Sequence, residues 1–157
     1  MSERPGSPSQ LLAFTVADLQ CGLDAPRVER VLRMVALTPL PKAPPVILGA
    51  IDLHGEVIPV AGVRERFGRG TTPVALQGRL IVVNTARRKL ALAVDAVAGL
   101  VDYSPAVVHP ADAVSPGLEH LQGIARLPEL GLVLIHDIDR FLSLSEEHQV
   151  AAALAAP

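Results

Sequence analysis

Between Gly49 and Phe67, apolar and polar positions follow a period of two. Ile51 and Leu53 fall on one side and Ala50 and Asp52 on the other, which predicts a half-buried strand. His54-Gly55 interrupts the run, and Gly55 supplies the positive φ of a tight hairpin turn. Val57, Ile58 and Val60 resume an apolar strand, and Pro59, which has no N–H, predicts an edge position or an end of pairing. Val63-Arg64-Glu65-Arg66-Phe67 fits a short helix closed by Gly68.

The rest of the chain has the same texture. Leu11 to Val16 and Leu19 to Leu23 predict two strands around Ala17-Asp18. Asp24-Ala25-Pro26 predicts a short helix, with Val28, Val31 and Leu32 turned inward. Strand-like spacing continues from Arg33, and Pro39, Pro41, Pro44 and Pro45 impose extended backbone before the Gly49 hairpin. Polar, glycine-bearing 68–78 reads as a connector. Leu80 to Val83 and Leu90 to Val94 form a second hairpin, and mixed strand continues to Tyr103. Residues 105–117 form a loop with a short strand near Val107-Val108, and Ser145-Glu146-Glu147 predicts the start of a last helix.

The first device then returns. Gly49 and Gly123, Leu53 and Leu127, Arg66 and Arg140, and Phe67 and Phe141 all lie 74 positions apart. Glycine, strand, turn, strand and short helix recur in the same order, so we read two similar halves. Short, evenly spaced strands, with no inner helix long enough for a crossover, predict small barrels or a sandwich.

Composition narrows this picture. Half of the 157 residues are hydrophobic, yet aromatics make up only 3% and tryptophan is absent, so the core is built from Val, Leu, Ile and Ala. A net charge of −2 offers no electrostatic case for nucleic acid or acidic lipid. The single cysteine, Cys21, excludes an internal disulfide, fits a reducing compartment, and reads as a small buried hydrophobe. No stretch reaches the ~18 apolar residues of a membrane span. Polar Met1 to Gln10 lacks a signal-peptide core and reads as a disordered leader on a cytoplasmic protein.

His136-Asp137-Ile138-Asp139 reads as a surface helix start capped by Asp137, not as a metal site. No nucleophile elbow and no phosphate loop occurs. Arg87-Arg88-Lys89 reads as a solvated hairpin tip that protects an edge, without the stacking aromatics of a nucleic-acid site. No catalytic activity, metal or cofactor is expected.

The residues resemble the CheW family of adaptors, which couple bacterial chemoreceptors to the histidine kinase CheA. The resemblance runs from Leu11 to about Leu144. It is carried by Pro41 and Pro44, Gly49 to Gly55, Ile58-Pro59-Val60, Arg64 to Gly68, Val94-Asp95-Ala96-Val97, and the hairpin Gly123 to Ile135. It implies a mostly β fold of two five-stranded SH3-like barrels with short helices. The expected organisation is a leader over 1–10, a CheW-like domain over 11–144 whose repeated barrels meet near 68–78, and a C-terminal helix over 145–157.

The resemblance further implies a non-enzymatic adaptor. Its partners would be the regulatory domain of a CheA-like kinase and the cytoplasmic tip of a methyl-accepting chemoreceptor. Val28, Arg30, Gly49, Leu53, His54 and Gly55 are the expected partner-binding residues. Two departures stand out: the family's hairpin arginine is His54, and its usual acid is Arg30. They place two cation-capable groups near each other. They also keep open a second reading, a divergent adaptor of a pilus, gliding or other pathway that binds a receptor or regulator without the kinase.

Overall fold

The structure is a computed structural model and describes residues 9–70, 78–110 and 120–155. It contains strands β1 (Ser9–Val16), β2 (Leu19–Asp24), β3 (Val28–Arg33), β4 (Ile47–Leu53), β5 (Glu56–Gly62), β6 (Arg79–Asn84), β7 (Lys89–Val94), β8 (Ala96–Tyr103), β9 (Val108–Pro110), β10 (Leu121–Leu127) and β11 (Gly131–His136). The helices are α1 (Val63–Arg66) and α2 (Leu144–Ala155).

Two sheets form, in the orders β8-β1-β2-β11-β10-β9 and β3-β6-β7-β5-β4. The three-residue β9 has a counterpart in the second sheet, the single bridge between Thr38 and Ala50. Each sheet is thus five strands plus a closing segment, the mostly β pair of SH3-like barrels expected.

The repeat is threaded between them. Hairpin β1–β2 from the start of the chain pairs with β11 from its end, Cys21 lying opposite Leu134. Hairpin β6–β7 pairs with β5, Val60 lying opposite Ala91. The barrel of β3 to β7 is thus one continuous stretch, Val28–Val94, set between the two parts of the other barrel, β1–β2 and β8–β11. The connector 71–77 lies outside the described residues, as does 1–8 of the leader, but Ser9 and Gln10 already belong to β1.

This threading explains the apolar runs. Leu80 and Val82 of β6 and Ala91 and Ala93 of β7 fill one barrel, while Ile81, Val83, Leu90 and Leu92 face the junction between barrels. Both faces of these strands are buried, so alternation gives way to continuous apolar sequence. Leu11, Tyr103, Ala125 and Ile135 fill the other barrel. Phe14, Val16, Leu23, Phe141 and Val150 join the junction cluster. Cys21 lies in that cluster, and burial pushes its thiol up to about 12.

Two expectations are corrected, and the one for Pro59 holds in its second form, an end of pairing. Asp24-Ala25-Pro26 opens only a single 3-10 turn, Ala25–Arg27; Val28, Val31 and Leu32 lie in β3, whose ladder to β6 outweighs the local helix signal. Pro59 sits in an inner strand, but β7 joins β5 only from Val60 onward, so Pro59 has a ladder partner on the β4 side alone. The α2 cap is Ser143, not Ser145. Ser143 Oγ accepts from Glu146 N at 3.1 Å, and Glu146 Oε1 accepts from Ser143 N at 2.8 Å, a reciprocal capping box.

Candidate partner-binding surface

The β4–β5 turn is a two-residue hairpin in which both central residues have positive φ, 54° at His54 and 87° at Gly55. That geometry matches the twist of the flanking strands. Asp52 Oδ1 accepts from Gly55 N at 2.8 Å and fixes the turn from below. The tip leans on β3, an edge strand, where Arg30 Nη1 lies 3.5 Å from His54 Nε2. A guanidinium offers only donors, so the ring nitrogen it faces is the acceptor. The two cation-capable groups anticipated to be neighbours are neighbours.

An acid-base network runs beside them. Lys89 Nζ lies 3.0 Å from Glu29 Oε1 and 3.4 Å from Glu56 Oε1. The bond from Lys89 holds the Glu29 carboxyl below its usual range. Val31 and Val57 remain 40% and 55% exposed on β3 and β5, the strands that carry the two acids of this network. The surface thus combines an open strand edge, exposed aliphatic side chains and a paired Arg-His tip.

The other expected site residues have different surroundings. Leu53 is half-buried and packs with Leu32 and Leu37 on the core of its barrel. Val28 packs against the junction cluster. Gly49 is buried beneath the 37–38 segment, where a Cβ would lie 2.7 Å from the Thr38 carbonyl oxygen. Arg30, His54 and Gly55 therefore form the exposed tip, Leu53 anchors it, and Val28 and Gly49 support the barrel behind it.

The junction holds residues that sequence reasoning did not assemble. His136 is buried, not on the surface as expected, and Phe14, Phe67 and Phe141 surround it at ring distances of 5.6, 5.4 and 6.1 Å. His120 lies 5.8 Å away. Neither His136 ring nitrogen has a hydrogen-bond partner among the described residues. Burial, assisted by His120, lowers its pKa to about 3. The 74-residue recurrence of phenylalanine was the one available signal for this cluster.

Ion pairs tie α2 and its approach to the other elements. Arg66 donates two hydrogen bonds to Glu146, at 2.8 and 2.6 Å, and a third to the Phe141 carbonyl at 3.0 Å. Arg88 donates to Glu147 at 3.0 Å, and Arg27 pairs with Asp139. Arg64 donates to Asp95 at 2.8 Å. The run Arg87-Arg88-Lys89 is accordingly no uniform solvated tip: Arg88 and Lys89 are engaged and Arg87 is exposed. No group of three or more potential metal ligands occurs among the described residues, and no described helix is long and apolar enough to cross a membrane.

Two SH3-like barrels with an exposed strand edge and a paired tip define a binding module. The comparisons state which kind. The model of the CheW-like domain matches residues 10–146, and the chain belongs to that family. It is 27% identical over 139 residues to the chemotaxis protein CheW of Klebsiella aerogenes, covering 87% of this chain and 83% of that protein. It is 31% identical over 118 residues to protein FrzA of Myxococcus xanthus, covering 74% of each. The scaffolding protein TtCheW of Thermoanaerobacter tengcongensis superposes with a TM-score of 0.80 at 28% identity, over 89% of this chain and 96% of that one. The chain is a chemotaxis-type scaffold or adaptor, not an enzyme.

Proposed function

We infer that the chain couples a methyl-accepting chemoreceptor to a CheA-like histidine kinase in the cytoplasm, by holding the two in fixed relation. The observation that carries the receptor half is the tip: Arg30 beside His54 at an open edge, with Val31 and Val57 exposed on the strands that bear them. Small interfaces that are apolar at the centre and polar at the rim fit such a surface. Arg30, Leu53, His54 and Gly55 would make or shape the contact, with Val28 and Gly49 supporting it. His54→Arg should alter capture by a receptor cytoplasmic tip in a pull-down while leaving the melting temperature unchanged. Unchanged capture would remove the tip from the assignment.

A second reading is a divergent adaptor in a non-flagellar pathway that binds a receptor or regulator without the kinase. Similarity to FrzA and the Arg30–His54 pair favour it. Co-elution of the purified chain with a CheA regulatory domain supports coupling, and separate elution supports the divergent adaptor.

A further inference from the structure

A cavity of about 650 Å³ opens where the β6–β7 turn, α1 and the approach to α2 converge. Its wall includes Arg66, Arg87 and Arg140, with Asp139, Ser143 and the buried His120 ring between them. The volume falls within the ~300–1,000 Å³ of small-molecule sites. Asp139 in the wall is matched by Arg27, and Glu146 and Glu147 of the adjoining α2 are matched by Arg66 and Arg88. That leaves the guanidiniums of Arg87 and Arg140, which make no ion pair among the described residues. Two positive charges without an ion-pair partner among the described residues thus share one concave wall in a chain whose net charge is −2.

The α2 N-terminus, at Ser143 and Leu144, also borders the cavity. Its capping box already occupies the N–H groups of Ser143 and Glu146, and the helix dipole adds to the positive wall. Recognition therefore falls to the guanidiniums, whose planar forks match tetrahedral oxyanions. Arg66, fixed by three hydrogen bonds, forms a rigid back wall.

We propose that this cavity binds a small molecule bearing a phosphoryl or pyrophosphoryl group, held by Arg87 and Arg140. The site lies on elements other than the β3–β5 tip, so ligand and receptor need not compete. Calorimetric titration of the full chain with pyrophosphate tests the proposal, with citrate and hexaglutamate as rival anions. The expected result is saturable one-to-one binding of pyrophosphate, at least tenfold weaker in Arg87→Gln/Arg140→Gln and unchanged in the remote Arg33→Gln. The double variant should melt at the wild-type temperature, since neither side chain is committed to an ion pair among the described residues.

Absence of binding would overturn the proposal. So would binding that survives the double variant, or equal losses in Arg33→Gln. Tighter binding of citrate or hexaglutamate would transfer the site to carboxylates or to an acidic protein segment and overturn the phosphoryl assignment. None of these readouts depends on receptor or kinase, so failure here leaves the adaptor reading standing.

Discussion

Hairpins β4–β5 and β10–β11 sit 74 residues apart and carry one backbone device twice. In each, the pairing slips by a residue just before a glycine, between Ile47 and Gly49 and again between Leu121 and Gly123. In each, that glycine faces a crossing carbonyl, of Thr38 or of His109. The side chains then part company. The first hairpin ends in the exposed His54-Gly55 tip, and its inner end is Gly62. The second has a longer turn containing Glu129 at φ 72°, and its inner end is His136. Backbone constraints repeat wherever a closing segment must cross a strand. Side chains diverge according to whether the copy meets solvent or the junction beneath α2.

The largest expected effect comes from the matched phenylalanines. Phe141 is fully buried in the junction cluster with Val150 of α2, whereas Phe67 is only half-buried. Phe141→Ala should cost about 4 kcal/mol and Phe67→Ala about half that, read from chemical denaturation midpoints. Equal losses would mean that α2 does not distinguish the two copies. Next come the glycines. Gly123→Ala and Gly49→Ala should each cost roughly 3 kcal/mol: an added Cβ presses on the His109 carbonyl in the first, and in the second it meets the Thr38 carbonyl at a φ of 156° that Cβ-bearing residues rarely adopt. A negligible cost at either site would mean that its closing segment yields to the new methyl.

Much of this division was legible beforehand. Period-two alternation and turn residues located β1–β2, β4–β5, β6–β7 and β10–β11, because hairpin pairing is local. β3 was misread because Asp24 and Pro26 resemble a helix start, and the strand that overrules them, β6, lies some fifty residues on. The insertion of one barrel within the other leaves no local trace, since it depends on β2 meeting β11, and neither does the inner place of Pro59, which depends on β5 meeting β7. The Arg30–His54 contact was readable through the family resemblance, in which an acid and an arginine meet at these two positions. His136 was not, since its burial requires Phe14, Phe67 and Phe141 to converge from three distant segments. Arg87-Arg88-Lys89 looked uniform because a linear run hides which side chain meets Glu147, which meets Glu29, and which is left over.

The inner ends of the hairpins predict a one-sided acid sensitivity. His136 is neutral when folded and protonates only near 3, whereas the unfolded chain titrates near 6.5. Between these values the unfolded state binds more protons, so stability falls as pH falls, and it is unaffected above 6.5. Lowering the pH from 7 to 5 should cost about 2 kcal/mol through this group. The Arg66 hydrogen bond lowers Glu146, and Asp139 is lowered by Arg27; they add their own loss only at more acidic pH, which keeps the window clean. His136→Phe should flatten the profile between pH 5 and 7. An unchanged slope would move the sensitivity to another group, since Gly62 in the first copy cannot titrate.

The smallest effect concerns the tips. His54 holds φ 54°, a left-handed conformation that disfavours a Cβ-bearing residue but that asparagine tolerates better. The Arg30 contact at 3.5 Å is long and exposed, and offers little in return. His54→Asn should therefore raise stability by about 0.5 kcal/mol while changing receptor capture. Glu129→Asn in the second tip, at φ 72°, should raise stability to a similar degree and leave receptor capture as it was. If both substitutions altered capture equally, the two hairpins would share the partner surface, and the distinction between an exposed tip and its repeated copy would collapse.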